Sequence, residues 1–208
     1  MPPVDGFLFT PALLLVEFGR WDDILALPEP AFEAALTGAL WHFARALAFA
    51  GKGQAEDAQA ERSKFLEAAE GVPKTAEFGN NDAEGVLAVA RPYLDGRLAL
   101  MAGNNGAAVV DLRLAVAAED ALAYDEPPAW YLPSRNALGV ALLRECDYPA
   151  AERVYREELK LLPESGRALF GLRAALLAQK RDREAAAVGK RFERAWRAAD
   201  MKLETGAM

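Results

Sequence analysis

The chain has few of the residues from which most catalytic and metal centres are built. Its 208 residues contain one cysteine, Cys146, and one histidine, His42. A disulfide framework and a cysteine-built zinc site are therefore excluded, and so are multi-histidine metal centres. Alternation of β-branched or aromatic residues at period two is nearly absent, so strands find no good home. Long apolar runs are lacking as well. The longest candidate, Phe7 to Val16, covers ten residues, contains Pro11 and follows Asp5 in place of a basic segment. It is too short to span a membrane and does not have the form of a secretory signal. Two phosphate- and ion-binding patterns also fail. Gly51-Lys52-Gly53 has no glycine five residues earlier and no Ser or Thr after it, so it reads as a hairpin turn. Asn80, Asn81, Asp82 and Glu84 do not have the alternating ligands of a calcium loop and read as an Asx-type helix start.

What is present is apolar and helix-prone. Hydrophobic residues make up 52% and charged residues 26%, which places the chain among folded globular proteins. Ala and Leu dominate, and clusters of Gly, Pro and Asn cut the chain into helices of roughly 12 to 18 residues. The formal charge of −7 is uneven. Residues 1–134 carry 9 Lys/Arg against 20 Asp/Glu, and residues 135–199 carry 14 against 9. Solvated helix faces account for this most simply. The basic residues of 180–197 are interrupted by acids and joined only by Phe192 and Trp196, a poor nucleic-acid surface.

Self-similarity is strongest between residues 132–165 and 166–199, two blocks of 34. The first carries Leu138, Gly139, Leu142, Ala151, Tyr155 and Pro163; the second carries Leu172, Leu176, Ala185 and Phe192 at matching offsets, with Arg173 and Gly189 as departures. In this large-small-large-small-aromatic-Pro pattern the chain resembles tetratricopeptide repeat (TPR) proteins. Weaker matches run through Gly96, Ala99, Gly103, Ala108 and Leu112, and through Ala46, Phe49, Gly53, Ala58 and Phe65. The stretches Asp125 to Leu143 and Phe18 to Leu25, with Trp41 and Ala44, resemble the C-terminal part of longer bacterial TPR-containing proteins. The resemblance implies an all-α fold, a right-handed superhelix (α-solenoid) of about five helical hairpins. The chain reads as a single domain over 1–208, with hairpins near 7–30, 37–72, 82–122, 132–165 and 166–199, an insertion at 123–131 and a tail at 200–208.

A TPR-like array lines a concave groove with the first helices of its hairpins, and such grooves bind peptides. The register puts Phe43, Tyr93, Arg97, Asn136, Arg167 and Phe170 there, with Leu40, Leu47, Leu100, Val140, Leu143, Ala174 and Leu177. Arg and Asn beside aromatics would suit an extended peptide. Equally, these side chains could cover a superhelix interior and bind nothing. The insertion, with Asp125, Glu126, Trp130 and Tyr131, is a candidate binding loop. Its plainer reading is a staple in which Trp130 and Tyr131 cap the next hairpin. His42 reads as a packed histidine without a ligand at i+4, and Cys146 as an incidental thiol in a turn.

The expected function is a protein–protein interaction scaffold or adaptor in the cytoplasm, without enzymatic activity, cofactor, metal, nucleic acid or membrane partner. Two alternatives remain. One is an enzyme or enzyme subunit with a small-molecule site near Asp125 and Glu126. The other is a fragment that self-associates through an apolar N-terminal hairpin bearing Phe7, Leu8, Leu13 and Leu14.

Overall fold

The computed structural model describes residues 6–30, 34–201 and 203. The protein is all-α. After a 3-10 turn at Gly6–Phe9, its helices are α1 (Thr10–Glu17), α2 (Trp21–Leu25), α3 (Ala35–Gly51), α4 (Ala55–Glu70) and α5 (Ala83–Met101). These are followed by α6 (Asn105–Asp120), α7 (Ser134–Arg144), α8 (Tyr148–Leu161), α9 (Gly166–Ala178) and α10 (Asp182–Ala195). One departure from the all-helix expectation is a minimal antiparallel pair, β1 (Glu77–Phe78) with β2 (Asn81–Asp82), turned by Gly79 and Asn80. Asp82 ends this hairpin and caps α5, its carboxylate accepting the Gly85 N–H at 2.6 Å. Asp147 and Ser165 cap α8 and α9 in the same way. No helix among the described residues is long and apolar enough to cross a membrane.

By its contacts the chain, read above as one domain, divides into two compact units, residues 1–104 with 110–132 and residues 105–109 with 133–208. In the first, α3 is central and packs on α1, α2, α4 and α5. Its apolar side repeats at helical spacing as Leu36, Leu40, Phe43 and Leu47, all fully buried. Each such side chain contributes about 1.5–3 kcal/mol relative to exposure. In the second unit α8 lies against both α7 and α9, α9 also touches α7, and α10 closes on α9.

Five helix ends share one turn geometry. Gly19, Gly53, Gly103, Cys146 and Lys180 take positive φ, between 59° and 78°. Each N–H bonds the carbonyl three residues back, at Val16, Ala50, Leu100, Leu143 and Leu177. The next residue then donates to a carbonyl five back, from Arg20, Gln54, Asn104, Asp147 and Arg181 to Leu15, Phe49, Ala99, Leu142 and Leu176, at 2.8–3.0 Å. This double closure terminates a helix and reverses the chain into the next one. Glycine adopts such a φ freely, whereas an L side chain is strained by roughly 1–2 kcal/mol. Cys146→Gly and Lys180→Gly should therefore each stabilise the second unit by about 1 kcal/mol, read as a higher urea midpoint at unchanged m. A lower midpoint for either would mean that the thiol or the lysine makes a compensating contact.

Candidate functional site

A half-exposed surface at positions taken from the repeat register lies on α7 and α9, the first helices of the two hairpins in the second unit. Asn136 and Leu143 from α7, and Arg167, Phe170 and Ala174 from α9, are half-buried, while Leu177 is exposed. Val140, also expected here, is buried. Leu143, Arg144, Tyr148, Ala174 and Ala178 surround a hollow of about 230 Å³. The Asn136 side-chain oxygen is shielded from solvent and has no hydrogen-bond partner among the described residues. Phe170 leans on Phe192 of α10, centroids 5.4 Å apart, and Phe192 stacks on Trp196. Phe170 thus divides its ring between the last hairpin and the open face. Arg144, Tyr148 and Ala178 were not assigned to this surface from sequence. Counting inward positions on first helices misses Tyr148 because the turn at Cys146 brings it in from α8.

The first unit places its predicted groove residues differently. Phe43 and Tyr93 are core residues, not a groove wall. Trp130, itself 4% exposed, lies edge-on to both, with centroid distances of 5.7 Å to Phe43 and 5.5 Å to Tyr93. Trp130 is therefore a staple onto α3 and α5, which precede it. Apolar area decides this, because the indole covers two aromatic faces that would otherwise be wet. Arg97 remains half-exposed and donates to the Tyr93 hydroxyl at 3.1 Å. Burial pushes the Tyr93 phenol above its ordinary pKa, against the opposing Arg97 charge.

The loop carboxylates are also anchored. Asp125 accepts the Asn80 N–H at 2.7 Å and the Asn81 amide at 3.3 Å, while Asn80 and Asn81 donate to the carbonyls of Tyr124 and Ala123. A Cβ on Gly79 would come within 2.1 Å of the Asp125 carboxylate, so this latch needs glycine for space as well as for its φ of 60°. Glu126 is exposed and accepts the Tyr124 hydroxyl, and Tyr131 is half-buried. Asp125 and Glu126 thus serve the β-hairpin and their own loop.

No family model, curated protein or solved structure matches this chain. Its function has to be argued from its own geometry.

Sequence reasoning missed a polar cluster between α3 and α4. His42 Nδ1 bonds Glu61 at 2.7 Å, from α3 to α4, and Lys64 and Arg45 reach the same carboxylate at 3.1 and 3.4 Å. Arg45 also lies over the Trp41 ring at 4.5 Å and near Phe49. A search at i+4 could not find Glu61, which is 19 residues away and brought near only by the α3–α4 packing. Among the described residues no group of three or more His, Cys, Asp or Glu is placed to hold a metal ion.

Burial pushes the Glu61 carboxyl up, but the hydrogen bonds from His42 and Lys64 and the Arg45 charge outweigh it. They hold Glu61 below the usual carboxylate range. A depressed folded-state pKa stabilises above the unfolded value, about 4.3, and that stabilisation disappears as pH falls through the folded value. Glu61→Gln should therefore cost about 2 kcal/mol at pH 7, with the penalty shrinking in melting curves taken below about pH 4. A penalty independent of pH would assign Glu61 a packing role only.

Proposed function

We propose that the chain is a TPR-like right-handed superhelix of five hairpins that acts as a protein-binding module. The α7–α9 surface is its docking face. One observation carries this reading. The helix-ending turn is the same at Gly19, Gly53, Gly103, Cys146 and Lys180, and the first and last pairs of these are 34 residues apart. Repeated closure of this kind is how hairpins are stacked in register. Support also comes from the second unit, where Tyr155 of α8 sits between Gly139 of α7 and Gly171 of α9. That wedge joins consecutive hairpins.

A protein segment docking here would place apolar side chains against Leu143, Ala174 and Leu177. The half-exposed Arg167 and Asn136 would meet its polar groups. The open character of the surface favours an extended or helical segment over a small molecule, which would need a deeper enclosure. The rival enzymatic reading gains nothing from Asp125, whose carboxylate is engaged by Asn80 and Asn81.

The test compares wild type with an Arg144→Ala, Leu177→Ala variant as bait in source-cell lysate, with captured proteins quantified by mass spectrometry and the variant's fold checked by circular dichroism. Loss of a specific partner from the folded variant is the expected result. Identical captures would remove α7–α9 as the docking face.

A further inference from the structure

Of the residues named from sequence for self-association, Leu13 belongs to the core, Leu8 and Leu14 are outward, and the Phe7 side chain lies outside the described residues. No charged residue occurs from Gly6 to Val16, so that surface has no charge with which to prefer one partner over another. The α7–α9 face has such a charge. The charges of the second unit are sorted by helix. α7 and α9 carry Arg135, Arg144, Arg167 and Arg173 and not one acid, whereas the helical acids Glu152, Glu157, Glu158, Asp182, Glu184 and Glu193 all stand on α8 and α10. There the signs are mixed, as on an ordinary solvated helix: Glu152 accepts from Arg156 at 2.8 Å, and Glu184 from Arg181 at 2.7 Å. With the turns adjoining α7 and α9 included, residues 133–147 and 162–181 carry six Lys/Arg against three Asp/Glu. Two of the arginines belong to the face. Arg144 is exposed at the hollow, and Arg167 is half-buried towards the start of α9. Arg135 is buried, and Arg173 runs past Gly189 of α10.

We infer, resting on the docking face proposed above, that the segment it takes is an extended peptide, apolar at its centre and acidic at both ends. Charge complementarity selects the acid. A Lys or Arg on the segment would meet only like charge along α7 and α9, whereas a carboxylate at either end meets a guanidinium. Each guanidinium has five N–H donors in a planar fork, so a contact made on one side still leaves donors for a bidentate carboxylate. The geometry sets the spacing. Ala178, which lines the hollow with Arg144, stands eleven residues after Arg167, about 16 Å along α9. An extended chain covers that distance in about five residues. Between the two ends lie Phe170, Ala174 and Leu177, which select apolar side chains over the phosphates of a nucleic acid. Asn136 selects an extended backbone. Its shielded side-chain oxygen calls for a donor, and a helix has already spent its backbone N–H groups on its own carbonyls.

The test uses the full chain to select from a displayed library of random peptides about 12 residues long, some 40 Å when extended, and titrates the selected peptides by fluorescence anisotropy. Asp and Glu should be enriched on both sides of an apolar centre, and affinity should fall as salt rises from about 50 to 500 mM. Arg144→Gln with Arg167→Gln should weaken the selected peptides about tenfold and remove the preference for acid. Selection and salt series are read on the wild type, so they decide the matter even if the double variant misfolds. A library that yields no binder, apolar peptides selected without enrichment of acid, an affinity independent of salt, or a single-stranded oligothymidine bound as tightly as the peptides would each overturn the inference. Where peptides bind without a preference for acid, loss of binding in Leu177→Ala would leave the α7–α9 docking face standing. Binding retained by a folded Leu177→Ala protein would remove that face as well.

Discussion

Tyr155→Ala will destabilise the second unit by about 3–5 kcal/mol, the range for removing a large, fully buried aromatic ring. The ring is 1% exposed and is the side chain that joins two hairpins. A Cβ on Gly139 would lie 2.3 Å from its Cζ, and one on Gly171 would lie 2.1 Å from the same atom. Both distances are far inside van der Waals contact, so the ring fills the space that the two glycines leave and no other atom can collapse into it. Gly139→Ala and Gly171→Ala should therefore each cost about 1–3 kcal/mol through overpacking. The pair Tyr155→Ala with Gly139→Ala should be strongly non-additive, because once the ring is gone the added methyl has room. The hydroxyl behaves differently. It is buried without a hydrogen-bond partner among the described residues, and burial pushes its pKa well above the ordinary tyrosine value. Tyr155→Phe should thus be neutral or stabilising, by up to about 1 kcal/mol. Urea denaturation of the five variants checks the set, and a Tyr155→Phe protein as weakened as Tyr155→Ala would show that the hydroxyl, not the ring, holds the hairpins together.

The second large effect is expected at Trp130. Trp130→Ala should cost about 3–5 kcal/mol in the first unit, by opening a cavity over Phe43 and Tyr93. A double-mutant cycle of Trp130→Ala with Tyr93→Ala should give a coupling of about 0.5–1.5 kcal/mol, the size measured for edge-on aromatic pairs beyond their shared burial. The indole N–H is buried without a partner among the described residues, so no hydrogen bond is forfeited and Trp130→Phe should recover most of the loss. If Trp130→Ala left the thermal transition unchanged, the 123–131 segment would be a free loop, and its candidacy as a binding element would revive.

These two aromatics mark where reading the chain succeeds and where it stops. Tyr155 was legible because it stands with a small residue at 139 and a proline at 163 in the repeat pattern, whereas its second partner, Gly171, is not one of the repeat positions and came only with the structure. Trp130 was legible as a staple, because an aromatic after two prolines in a non-periodic insertion has few other uses. The surface it covers was not, since Phe43 and Tyr93 lie 87 and 37 residues earlier and nothing local points to them. The same limit hid Glu61 from His42 and Asn80 from Asp125. The register counted Phe43, Tyr93 and Phe170 alike as groove positions. A helical period gives the side of a helix but not what lies against it, and the three rings met the Trp130 staple, the same staple, and Phe192.

The sequence by itself determined the helices and the turns between them. Helix propensity, apolar spacing at 3.6 residues and positive-φ glycines act over fewer than ten residues, where the chain's own order decides the outcome. Only the tertiary structure decided which faces are closed and which stay open. It buried Phe43, Tyr93 and Trp130, and it left Leu177 and Leu14 in solvent. Those outcomes depend on burial between residues tens of positions apart, and the free energy of burial depends on the neighbours in space, not on the neighbours in the chain.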